Sequence, residues 1–113
     1  MYEYAAVIRS IYDGDTCRAD VDLGFGVWIS DMALRLLGID APELGKPGGK
    51  EARDFLRELM PIGSTVTIRT HKDATEKYGR MLAEIWDDDT MPSLNAVMVA
   101  SGHAVPYDGG ARG

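Results

Sequence analysis

The sequence predicts a small α+β domain, mostly β, built as a five-stranded antiparallel barrel with two helices packed on it. Three observations lead there. Apolar and polar residues alternate with a period of two, or β-branched residues cluster, in five separate stretches. The period lengthens to that of a helix in two others, one after the third stretch and one after the fifth. The 113 residues, 45% apolar and 27% charged, suit one domain spanning 1–113 and exclude wholesale disorder.

Residues 5–11 form the first expected strand, with Val7 and Ile8 at its centre. After the Asp13-Gly14 turn, Cys17, Ala19, Val21 and Leu23 alternate with Thr16, Arg18, Asp20 and Asp22, so the first four are expected to face inward. Gly24-Phe25-Gly26 connects this strand to residues 27–39, the longest β-like stretch, with a bulge at Ser30-Asp31. Residues 44–49 hold three glycines and Pro47 and are read as a loop. Ala52, Phe55, Leu56, Leu59 and Met60 then fall on one face of a helix over 50–60, stopped by Pro61. Residues 65–70 and 81–86 are the fourth and fifth strands. Ser93 caps a short helix carrying Leu94, Val97 and Met98, with Gly102 as its stop. Residues 104–107 make a last short strand, and 108–113 are expected to fray. Five strands with a helix after the third give an oligonucleotide-binding-like (OB-like) barrel, with two packed α/β layers as the alternative.

Composition limits the function. Twelve Lys and Arg against eighteen Asp and Glu leave a net charge of −6, which argues against a protein that coats phosphate backbones. It leaves room for a local basic cleft, or for clustered carboxylates offset by cations. Cys17 stands alone, excluding an internal disulfide and a thiolate zinc cluster and suiting a reducing compartment. No apolar run approaches the ~20 residues of a membrane span, and the start, Met1-Tyr2-Glu3-Tyr4, has neither the basic flank nor the apolar stretch of a secretory signal. An intracellular protein is expected, although a processed secreted form would read the same.

Three polar motifs interrupt the apolar pattern. Asp13-Gly14-Asp15-Thr16, read alone, is an ordinary hairpin turn. In residues 34–43, Arg35 breaks an apolar strand, so its guanidinium must meet an anion or emerge at the surface. Asp40 and Glu43 follow on a turn stiffened by Pro42. They either converge on a hard cation or end the strand as solvated acids. In Glu76-Lys77-Tyr78-Gly79-Arg80, an aromatic between cations suits a phosphate with a base to stack, or a solvated loop.

Taken together and in this order, Asp-Gly-Asp-Thr, Arg-Leu-x-x-x-Asp-x-Pro-Glu and Lys-Tyr-Gly-Arg resemble the thermonuclease family, the staphylococcal nuclease-like domains, from about Tyr4 to Tyr107. The resemblance implies a calcium-dependent nuclease acting on DNA and possible RNA substrates, in which water attacks phosphorus and products carry 3′-phosphates. It implies Asp15 and Asp40 as calcium-binding carboxylates, with the backbone carbonyl of Ala41 as a further ligand where many relatives have Thr. It implies Glu43 as general base, Arg35 and Arg80 as catalytic arginines, and Lys77, Tyr78 and Tyr107 as substrate-binding residues. These roles are chemically coherent: a phosphodiester repels nucleophiles, so its hydrolysis needs charge neutralisation, a proton acceptor and planar guanidinium donors.

Two departures stand out, the acidic charge balance and Glu76 in place of a common Asp. The sequence also ends soon after Tyr107, so the further C-terminal helix of longer relatives is not expected. Nucleic acid is the expected partner; a membrane and an obligate protein partner are not implied, and a monomer is expected. The alternative function is a non-catalytic OB-fold module that binds nucleic acid or protein. His71 and His103 lack ligand spacing, Cys17 reads as core, and Trp28 and Trp86 read as packing residues.

Overall fold

The computed structural model describes residues 2–75, 79–87 and 90–107, with the backbone alone at Tyr2 and 71–75. The Lys77-Tyr78 pair, two of the three acids in 87–89 and the expected frayed tail at 108–113 lie outside the described residues, as does the His71 side chain. The elements run β1 (Tyr2–Asp13), β2 (Thr16–Gly24), β3 (Val27–Leu36), β4 (Ile39–Asp40), α1 (Gly49–Leu59), β5 (Thr65–Thr75), β6 (Met81–Trp86), α2 (Leu94–Ala100) and β7 (Val105–Pro106).

Strands β1-β2-β3-β6-β5 close into a barrel, the OB-like α+β architecture expected. Four of its junctions are antiparallel, and β3–β6, joined only from Leu34 to Leu36, is parallel. A ring of five strands cannot alternate direction all the way round, so one parallel junction is unavoidable. The antiparallel expectation is corrected at that seam.

Alternation decides what fills the barrel. Ile8, Ile11, Cys17, Ala19, Val21, Leu34, Leu36, Val66, Ile68, Ala83 and Ile85 are buried. Burial pushes the Cys17 thiol up to about 12, so it is an inert core residue. Helix α1 adds Ala52, Leu56 and Met60, with Phe55 and Leu59 packed at the rim. Among the described residues no helix is long and apolar enough to cross a membrane.

Two inward expectations fail. Leu23 and Trp28 are exposed, because the β2–β3 hairpin runs past the last β1 pairing at Ala5–Asp22 and projects beyond the barrel. The bulge at Ser30-Asp31 is present: Ala19 faces Met32 while Val21 faces Ile29, and Asp31 has φ 56°. The expected 27–39 strand breaks at Leu37-Gly38. Beyond that turn β4 leaves the barrel to pair with β7.

Buried Asn95, on α2, locks this break. Its Nδ2 donates to the carbonyls of Leu37 (2.8 Å) and Ala83 (3.1 Å), and its Oδ1 accepts from the Ile85 N–H (3.0 Å). Helix α2 starts where expected, with the Ser93 hydroxyl accepting from the Ala96 N–H.

Candidate functional site

The site forms where the β1–β2 turn meets the C-terminal end of β3 and the β4 turn. Gly14 allows that meeting. A Cβ there would lie 2.8 Å from the Cβ atoms of both Ala41 and Ala52, so only glycine lets the turn seat between the β4 turn and α1. The seat buries Asp13 and Asp15, at 6% and 5% exposed.

Asp15 is held from all sides. Its Oδ2 accepts from the Ala41 N–H (2.8 Å) and lies 3.2 Å from Arg35 Nη1, while its Oδ1 accepts from the Thr16 hydroxyl (3.0 Å). Its own N–H donates to Asp13 Oδ1. Burial, the dominant cause, raises the Asp15 carboxyl to about 6, with Asp13 adding and the Ala41 N–H and Arg35 opposing.

Arg35 answers the question its place in an apolar strand raises. Its side chain is buried to 11% exposure and bridges the two acids, with Nη2 3.3 Å from Asp40 Oδ1. Nη1 also donates to the Leu36 and Ile39 carbonyls, which the chain break after Leu36 turns toward it. Asp15 and Asp40, twenty-five positions apart in sequence, therefore converge on one cationic group.

Arg80 arrives from the residue before β6. Its Nη1 donates to the Thr16 hydroxyl at 3.2 Å, so Thr16 links Arg80 to Asp15. The motif contained Thr16, but nothing local reveals this link, which spans residues 64 positions apart. The burial of Asp13 was equally hidden, since an Asp-Gly pair reads as an exposed turn.

Glu43 is exposed just beyond the β4 turn, and its backbone is fixed by the loop that follows. The Lys46 N–H donates to the Glu43 carbonyl and the Gly49 N–H to that of Lys46. A Cβ on Gly49 would land on the Glu43 carbonyl oxygen and 2.7 Å from its carbon. Gly49→Ala is therefore expected to displace Glu43, costing about 2 kcal/mol of stability and roughly tenfold in any reaction that uses this carboxylate. Paired measurements of melting temperature and turnover check it, with Lys50→Ala at the exposed neighbouring position as a control.

Tyr107 follows β7, and its N–H donates to the Gly38 carbonyl (2.8 Å), placing it beside the strand that carries Asp40. Lys77 and Tyr78 lie outside the described residues. His103 stacks on Phe55 at 4.5 Å, a packing role. Trp86 is half-buried beneath the Arg69 guanidinium, 4.4 Å from the ring centre.

The donor set fits a hard divalent cation. Two carboxylates already share one positive group, and Asp15 is a buried acid whose elevated pKa marks incomplete charge compensation. Among the described residues no three His, Cys, Asp or Glu side chains gather into a metal cluster, so backbone and water would complete the shell.

Residues 33–111 match the family model described as staphylococcal nuclease homologue. A thermonuclease of Staphylococcus hyicus is 37% identical over 71% of this chain and 46% of its own length. An uncharacterized endonuclease of Escherichia coli O157:H7 is 34% identical over 93% of this chain and 61% of its own. Endonuclease YhcR of Bacillus subtilis (strain 168) is 24% identical over 93% of this chain but only 9% of its own. The chain thus spans less than two-thirds of the length of each of these relatives.

Proposed function

The chain belongs to the family of staphylococcal nuclease homologues, and from that premise we propose that it is a calcium-dependent nuclease hydrolysing phosphodiester bonds of DNA and RNA. The observation that carries the reading is the convergence of Asp15, Arg35, Asp40, Thr16 and Arg80 at one end of the barrel.

Asp15, Asp40 and the Ala41 carbonyl would hold the ion, which when bound supplies Lewis-acid polarisation of a phosphoryl oxygen. Glu43, exposed three residues after Asp40, accepts the proton of the attacking water, help typically worth about 10²–10⁴-fold. The water oxygen bonds to phosphorus, the bond to the 5′ oxygen breaks, and that oxygen takes a proton from solvent while Glu43 gives up the one it accepted, leaving a 3′-phosphate. Arg35 and Arg80 present planar donors to the oxygens on which charge accumulates. Arg35 is held by both acids that would hold the ion, so its guanidinium rests beside the place a phosphoryl oxygen would take. Lys77 and Tyr78 grip the terminal phosphate, and Tyr107 lines the base pocket.

The test is digestion of a single-stranded oligonucleotide with calcium, with magnesium and with chelator. Cleavage is expected with calcium, none with chelator, and a fall of about 10²-fold or more for Glu43→Ala and Arg80→Ala. Intact substrate under calcium would overturn the reading. Tight binding without turnover, indifferent to Glu43→Ala, would favour the non-catalytic module, the reading to which the net charge of −6 lends weight.

A further inference from the structure

The β2–β3 hairpin carries a feature that the proposed chemistry does not use. Residues 23–30 contain no charged side chain, in a chain of which 27% is charged. They expose Leu23, Phe25, Val27, Trp28 and Ile29, with Phe25 fully exposed at the tip and Trp28 49% exposed. The apolar surface so presented is on the order of 500 Å², at the upper end for a monomer's largest patch.

The same segment is a strand edge. Pairing of β3 with β6 begins only at Leu34, so from Val27 to Ala33 β3 has β2 on one side and, among the described residues, no strand on the other. Backbone donors and acceptors face outward along that edge. The Asp31 bulge kinks one end, leaving 27–30 as the regular part.

From these observations we infer that the free edge of β3, at residues 27–30, pairs antiparallel with the same edge of a second copy, giving a two-fold dimer. Antiparallel pairing of an edge with itself is self-complementary, each copy supplying the donors the other lacks. The patch of about 500 Å² per copy falls below the roughly 800 Å² per partner of a standard interface and suits a weak, concentration-dependent dimer.

Charge favours this occupant over an anionic one. Asp20, Asp22 and Asp31 border the patch, and the arginines on β1 and β2 are already held, Arg9 by Asp20 (3.3 Å) and Arg18 by Asp31 (2.9 Å). Asp22 caps its own turn through the Gly24 N–H. With Arg9 and Arg18 paired, these strands offer a phosphate backbone or an anionic lipid surface neither arginine, whereas a second near-neutral hairpin needs no cation to dock. Trp28 lies seven residues along β3 from Arg35, roughly 23 Å at strand spacing, so both catalytic sites stay open in the dimer.

Sedimentation of the full chain from about 1 to 300 µM is expected to show the mass rising from monomer toward dimer. Trp28→Glu and Ile29→Glu should each weaken association at least tenfold while leaving turnover unchanged. Ser30→Cys in the otherwise native chain should cross-link between copies with a bis-maleimide spanning about 10 Å, and Glu58→Cys on α1 should not. Cys17 is buried and stays silent in that assay. Monomer throughout the range, association indifferent to both glutamates, or equal cross-linking at Glu58→Cys would overturn the proposal. So would Trp28-dependent binding of the monomer to phosphatidylcholine vesicles or to a single-stranded oligonucleotide.

Discussion

Asp15→Asn is expected to stabilise the protein in chelator by about 2 kcal/mol at pH 7 while lowering cleavage at least 10³-fold. The two effects share one cause. The Asp15 carboxyl is raised from 3.8 to about 6, chiefly by burial, so holding it ionised in the fold at neutral pH costs about 3 kcal/mol at most. An asparagine keeps the shape and still accepts from the Ala41 N–H, but has no charge to desolvate. Loss of its attraction to Arg35 offsets part of the gain. The sign follows from proton uptake. The folded state holds this proton more tightly than the unfolded chain, so the contribution to stability is fully present below pH 4. It is lost as the pH rises through about 6. Urea unfolding at pH 4, 5, 6 and 7 should show that decline in the native protein and its absence in Asp15→Asn. Calcium should restore stability to the native protein only. An equal pH slope in both proteins would contradict the assignment.

Arg35→Ala is expected to cost about 3–5 kcal/mol, the largest single stability loss at the site, and to abolish cleavage. The substitution removes the one group that bridges Asp15 and Asp40 and strips two carbonyls, those of Leu36 and Ile39, of a donor. It leaves Asp15 buried and charged, held only by neutral donors, and moves its pKa further up. Arg35→Lys should recover part of the stability, since a charge remains, but little activity, since a point charge cannot grip two oxygens in one plane. In the double variant Arg35→Ala, Asp15→Asn the loss should shrink by more than the gain that Asp15→Asn gives alone, because no charge is then stranded. Denaturant midpoints of the four proteins give the coupling directly. Changes that simply add would mean that Arg35 does not compensate Asp15.

The dimer inferred at the β3 edge stands beside the expectation of a monomer, and the sedimentation series decides between them. Net charge is a sum over the whole surface. Association depends on the local balance, and the arginine–aspartate pairs bring the hairpin close to neutral.

Much of the molecule was legible from the order of residues alone, because the physics involved acts over a few positions. The two periods of alternation, Pro61 ending α1, Ser93 capping α2 and the Ser30-Asp31 bulge are all local, and each lies where the residues put it. Arg35 in an apolar strand announced either an anion partner or an exit to the surface, and the fold supplies the anion. Which anion, and that it is two, depended on segments 20 to 25 positions apart meeting. The parallel seam, the exposure of Leu23 and Trp28, the link from Arg80 through Thr16 to Asp15, and the raised pKa of Asp15 belong to the tertiary structure. Each depends on which surfaces the closed barrel covers, and burial and charge pairing in three dimensions are not functions of neighbouring residues.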